Sequence, residues 1–276
     1  MCGLKYLKWR ETRSQTFQNW CFDKAGDWHS SIFLPVWTGE TSDLLVLPEG
    51  SSLAEMPEAS SNLYAKMITY TQKAYGAEQD TDYPPMFIYN LPLFGFDETG
   101  IVDKKKVTSQ LIDGVNKLEA AGSELIIIAC NTVHCFYEEM QSAVDVPIYN
   151  IIEETRNRVQ QSAHKKVGLF ASESTCKLNL YQHSFTESGI DVVAPNREQQ
   201  KKLNRVIKNV MGGKHGAEDR SVLIEIAKNY QSRGAEAVVM GCTEIPLAID
   251  QTHTDIKLFD TIEIIIQSAV DYSLKG

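Results

Sequence analysis

The sequence has no apolar run near the roughly 18 residues that a transmembrane helix needs. It also has no excess of positive charge. Lys and Arg number 27 against 36 Asp and Glu, a net charge of −9. That balance speaks against general nucleic-acid affinity, so neither nucleic acid nor membrane is expected as a partner. The opening residues 1–10 lack the apolar core of a signal peptide, and a cytoplasmic location is the expectation. No CxxC pair, HExxH, P-loop or GxGxxG occurs, which removes the common metal and nucleotide signatures. Tryptophan is absent beyond Trp37, although all four of the chain's tryptophans stand within the first 37 residues. The six cysteines, in a reducing compartment, are expected as free thiols.

What remains is a chain of 276 residues, 43% hydrophobic and 23% charged, ample for a buried core. Continuous apolar runs alternate with amphipathic stretches. The runs predict strands over 86–91, 124–130, 146–151, 166–171, 190–194, 237–242 and 256–259. The stretches predict helices over 61–75, 103–121, 132–143, 153–163, 175–188, 197–211, 217–233 and 261–274. Continuous runs suit parallel strands buried on both faces, so the fold class is α/β with parallel sheets. Ligands of such sheets bind at the C-terminal strand edge.

Two segments repeat 112 residues apart. Gly122-Ser-Glu124 leads through an apolar run to Cys130-Asn131-Thr132, and Gly234-Ala-Glu236 leads similarly to Cys242-Thr243-Glu244. The repeat predicts two pseudo-symmetric α/β domains with the active site in the cleft between them, each supplying one cysteine. The expected division is an atypical N-terminal segment 1–55 with a strand near 43–47, a first domain of 56–151 plus 261–276, and a second of 152–260.

Two thiols facing one carbon from opposite sides form a two-base proton exchanger. Cysteine suits this because its pKa lies near the working pH. Helix starts after each strand expose N–H donors, which favour an anion and would lower a thiol pKa. Asn131, Thr132 and Thr243 add side-chain donors. Glu244 either orients a group and buffers a thiolate, or is a first-turn acid suited to the helix dipole. His134 either bonds the thiol or the substrate, or is structural. Cys135 and Cys176 are expected as packed small side chains. Met211-Gly-Gly-Lys214 is expected as a helix end.

At Cys130-Asn131-Thr132-Val133-His134 and Gly241-Cys242-Thr243-Glu244 the chain resembles the aspartate/glutamate racemase family. The likeness runs from about Pro57 to the C-terminus. It implies a PLP-independent amino-acid racemase, with Cys130 and Cys242 catalytic, no cofactor and no metal, a free amino acid as substrate, and a homodimer. It also implies substrate-binding roles for Asn90 and Thr175, and supporting roles for Asp97 and Lys201. Plain alternatives are a turn former at Asn90, a helix N-cap at Thr175 and a solvated charge at Lys201. Two departures stand out. Ala54 and Glu55 occupy places where the family has two glycines. Glu98 follows the loop aspartate where aspartate-selective relatives carry Arg, so another amino acid is implied. A hydantoin or dicarboxylate isomerase of the same fold, or a small-ligand binder without turnover, are the rival readings.

Overall fold

The computed structural model describes residues 31–37, 57–97 and 100–275. Its first sheet is built from β1 (Ser31–Trp37), β2 (Met86–Pro92), β5 (Leu125–Ile127) and β6 (Ile148–Tyr149), in the order β2–β1–β5–β6. Its second is built from β7 (Lys166–Ala171), β8 (Asp191–Val193), β9 (Ala237–Gly241) and β10 (Lys257–Asp260), in the order β10–β9–β7–β8. Taken from the opposite edge, the first sheet becomes β6–β5–β1–β2. The two sheets then share one plan, with β5 and β9 in equivalent places. A small antiparallel hairpin, β3 (Phe96–Asp97) and β4 (Gly100–Ile101), lies outside both.

All pairings of the second sheet are parallel, as is β5 with β6. The exception is β1. It runs antiparallel to β2, from Ser31↔Pro92 to Trp37↔Met86, and antiparallel to β5 at Val36↔Ile126. The periodicity did not predict this strand. The strand expected over 43–47 lies outside the described residues, as do Ala54, Glu55 and Glu98.

The helices are α1 (Pro57–Tyr75), α2 (Lys104–Ala120), α3 (Tyr137–Gln141), α4 (Ile151–Gln161), α5 (Glu173–Lys177), α6 (Leu180–Glu187), α7 (Arg197–Met211), α8 (Ala217–Ser232), α9 (Ile245–Ala248) and α10 (Thr261–Lys275). Two expected helices are interrupted. The stretch 132–143 opens as a 3-10 turn, Thr132–Phe136, and becomes α-helical only at Tyr137. The stretch 175–188 breaks at Asn179, whose φ of 52° is left-handed, a conformation that Asn tolerates better than most residues. The Met211-Gly-Gly-Lys214 segment does end a helix, with Gly213 at φ 63°.

Both cysteine-bearing strands are buried on both faces, as their continuous apolar runs require. Leu125 and Ile127 of β5 face a central layer, and Ala237 and Val239 of β9 face the same layer. Ile126 points the other way, into the core beneath α2 with Val107, Leu111 and Val115. Val238 and Met240 likewise point away, into the core beneath α7 and α8 with Leu203, Val206 and Ile226. The central layer also holds Ile262, Ile265, Ile266 and Val270 of α10. That helix is tied to α1 through Asp271, which accepts from Tyr70 and Tyr75 at 2.8 and 2.7 Å. Ser268 ties it to Glu154 of α4 at 2.6 Å.

Candidate active site

The repeated glycines build the same turn twice. Gly122 and Gly234 adopt φ of 95° and 87° just past α2 and α8. In each case the glycine N–H bonds a carbonyl three residues back, and the next N–H bonds one five residues back, namely Ser123 to Leu118 and Ala235 to Tyr230. These are Schellman ends, which turn the chain directly into the following strand. Each strand then delivers its cysteine at the C-terminal edge. Both cysteines are buried, and neither is in a disulfide.

Side chains from the two halves meet around them. Thr132 Oγ1 lies 2.8 Å from Thr175 Oγ1 and 3.2 Å from Ser172 Oγ. Ser172, not Thr175, is the N-cap of α5, and its Oγ accepts from the Thr175 N–H. The Thr175 hydroxyl is therefore available to the cluster. The Tyr181 hydroxyl donates to Asn131 Oδ1 at 2.5 Å, while Asn131 Nδ2 is buried without a partner.

The two thiols sit in different settings. The Cys242 thiol donates to Glu244 Oε2 at 2.9 Å, and Thr243 Oγ1 donates to the same carboxylate. Burial pushes the Cys242 thiol well above its ordinary range; the Glu244 carboxylate pushes it further, and Cys130 adds a smaller push. This corrects the expectation that helix starts lower it. Desolvation in a closed site outweighs the dipole of α9, a single turn long. Glu244 sits at the N-cap position of α9 but caps nothing with its side chain, which turns back to the thiol instead.

Beside Cys130, His134 bonds the backbone rather than the thiol. Its Nδ1 lies 2.8 Å from the Cys130 carbonyl, and its Nε2 accepts from the Ile151 N–H at 3.3 Å. These partners assign the neutral Nδ1–H tautomer, and burial lowers the ring's pKa to about 4. His134 is thus a clamp between the Cys130 turn and the start of α4.

The remaining predicted residues lie on other elements. Asn90 lies half-buried on β2 opposite Phe33 of β1. Asp97 pairs with Gly100 in the small hairpin. Lys201 is exposed on α7, next to Gln200, whose amide donates to the Ala171 carbonyl at 3.0 Å. Cys135 and Cys176 pack against the cores, and burial raises their pKa values to about 11 and about 12. Among the described residues no cluster of His, Cys, Asp and Glu is arranged to hold a metal, and no helix is long and apolar enough to cross a membrane. Ser172 and Tyr181 were not anticipated. A tyrosine in an apolar helix face is a usable signal, because its buried hydroxyl needs a partner.

Two sheets of one plan, each presenting a cysteine at its C-terminal edge, form an α/β fold shared with an aspartate racemase homologue. The chain belongs to the Asp/Glu/hydantoin racemase family, which it matches over residues 56–269. It is 32% identical over 214 residues to the broad specificity amino-acid racemase RacX of Bacillus subtilis (strain 168), covering 78% of this chain and 92% of that protein. It is 25% identical over 176 residues to the glutamate racemase of Aquifex pyrophilus, covering 59% of this chain and 64% of the relative. Among solved structures, an aspartate racemase homologue from Pyrococcus horikoshii OT3 superposes with a TM-score of 0.68 at 28% identity, covering 79% and 95% of the two chains. The Picrophilus torridus aspartate racemase shares the fold, with a TM-score of 0.63 at 23% identity over 79% and 91%.

Proposed function

We propose that the protein is a PLP-independent amino-acid racemase that exchanges the α-proton between Cys130 and Cys242. The observation that carries this reading is the pair of buried cysteines at equivalent strand ends, with polar side chains of both halves gathered beside them. In one direction the Cys130 thiolate takes the proton from Cα, and the Cys242 thiol gives its proton to the opposite face. One S–H bond forms, one breaks, and the charge moves from one sulfur to the other. The reverse direction exchanges these roles. Fixed donors must hold the developing carbanion, and Asn131, Thr132, Thr175 and Thr243 supply them. Asn90 on β2 adds a further contact for the substrate. Glu98 in place of Arg, together with the likeness to a broad-specificity enzyme, favours a non-acidic amino acid.

Glu244 makes the pair unequal. It accepts the Cys242 proton in the resting site, so Cys242 rests as the acid. In the reverse direction Cys130 carries the shared proton and Cys242 is the thiolate. The active form carries one proton across the two thiols, and its loss sets the alkaline limb of kcat/KM. Removing the carboxylate removes one push that holds that proton on. Glu244→Gln should therefore move the alkaline limb to lower pH.

The test is Cα deuterium incorporation in D₂O across D- and L-amino acids and hydantoins, with single Cys→Ser variants. Wild-type protein should exchange the α-proton of at least one amino acid. Each variant should fall by at least about 10²-fold, within the range ascribed to one acid–base group. Full exchange in both variants would rule out the two-thiol mechanism. Exchange with hydantoins alone would move the substrate to the other branch named by the family.

A further inference from the structure

Tyr181 stands on α6 in the second half, yet its hydroxyl reaches Asn131 in the first. The oxygen–oxygen distance of 2.5 Å falls in the O–H···O range and below the N–H···O range. The contact therefore assigns Oδ1, not Nδ2, to the tyrosine side of the amide. The Thr155 and Thr261 hydroxyls also approach the phenolic oxygen. Each donates instead to a backbone carbonyl, Ile151 at 2.6 Å and Met240 at 3.0 Å. The tyrosine is fully buried, so burial keeps its phenol protonated and a donor. The amide of Asn131 is left with its NH₂ buried and unpartnered. A buried donor without an acceptor is destabilising, and an anionic oxygen entering the site would satisfy it.

The surroundings are shaped for this contact. Tyr181 packs edge-on against Phe185, with ring centroids 5.5 Å apart. A side chain at Gly241, directly before Cys242, would place its Cβ 2.8 Å from Tyr181 Cε2. The residue before Cys130 is Ala129, so the glycine of the second motif answers to the tyrosine ring rather than to the cysteine.

We propose that Tyr181 is a positioning residue that fixes the Asn131 amide with its NH₂ toward the substrate carboxylate. It acts through Asn131. The proposal rests on the racemase reading of the same site.

The test is calorimetric binding of the D and L forms of alanine, arginine, aspartate and glutamate to wild-type protein, Tyr181→Phe, Asn131→Ala and the double variant. Tyr181→Phe keeps the ring, and thermal melts verify that it folds. The tightest-binding amino acid should lose about tenfold in affinity in Tyr181→Phe, close to its loss in Asn131→Ala. In the Asn131→Ala background the tyrosine change should cost less than about twofold, because the two act as one unit. KM should rise while kcat stays within about threefold, with the pH profile unmoved. Equal losses in both backgrounds would make Tyr181 merely structural and overturn the proposal, as would unchanged binding in Tyr181→Phe. Wild-type protein that binds none of the eight and exchanges the α-proton of no amino acid in D₂O would overturn both this proposal and the racemase reading.

Discussion

In the second half, β7 occupies an inner place of its sheet, runs parallel to both neighbours and hands Ser172 to the site at its C-terminal end. In the first half the equivalent place belongs to β1, which runs the other way. Its first residue, Ser31, pairs with Pro92 at the C-terminal end of β2, so β1 begins at the site edge and leaves from the far one. In this sheet the strand equivalent to β7 therefore has its C-terminal end at the far edge. Of the contacting polar groups described above, the first half supplies Asn131 and Thr132, each held by a partner from the second. The plan of the sheets is shared, and the furnishing of the site is not.

The same contrast runs through the two motifs at their 112-residue spacing. Asn131 matches Thr243, Thr132 matches Glu244 and His134 matches Pro246. The first cysteine is held through its carbonyl by His134, and the second through its thiol by Glu244.

The largest expected effect breaks the comparison at His134. Its pKa in the folded chain is about 4 against 6.5 unperturbed, because burial disfavours the charged ring. The unfolded chain binds this proton first as pH falls. The stabilisation is complete above about 6.5 and is lost progressively as pH falls to about 4, a total of about 3 kcal/mol. Urea unfolding between pH 7 and 4.5 should show this loss in wild-type protein. His134→Gln, which cannot charge, should lack that part of the slope. Identical slopes would mean that the clamp is not a buried neutral imidazole.

The next effect concerns the residue before each cysteine. Gly241→Ala drives a methyl to 2.8 Å from Tyr181 Cε2 and 3.0 Å from Leu169 Cδ1. Overpacking of this kind should destabilise by about 2 kcal/mol and weaken substrate binding with it. The mirror change, Ala129→Gly, removes one buried methyl and frees the backbone, at about 1 kcal/mol. Thermal unfolding of the two variants checks the order. A more damaging Ala129→Gly would mean that the first motif is the tighter one.

Much of this scaffold is legible from periodicity alone. The span of α7 and that of β7 follow from amphipathic spacing and a continuous apolar run, because each element's own pattern decides it. The cysteine pair is legible because a repeat needs no tertiary knowledge. Tyr181 and Ser172 were missed because their partners lie 50 and 40 residues away in the other half. The upward shift of Cys242 was missed for a related reason. A local rule favours the thiolate at a helix start, whereas burial and the backward turn of Glu244 are set by packing. β1 carries Pro35 and no clear alternation, so its place follows from pairing with β2 and β5 rather than from its own residues.

The smallest expected effect tests the part of the comparison that should hold. Gly122 and Gly234 close the same Schellman turn at φ of 95° and 87°. A Cβ at Gly234 would meet nothing nearer than Lys166 Nζ at 3.8 Å, so substitution there is opposed by backbone conformation rather than by space. The left-handed region costs an ordinary residue about 1 kcal/mol relative to glycine. Gly122→Ala and Gly234→Ala should each destabilise by about that amount, with additive loss in the double variant because the turns lie in separate sheets. Neither turn contributes a side chain to the thiols, so racemisation rates under folding conditions should stay near wild type. A much larger loss at one glycine would show that the halves differ in their scaffold as well. Equal losses would confine the asymmetry to what lies beyond the strand ends, where β1 runs backward and Tyr181 crosses over.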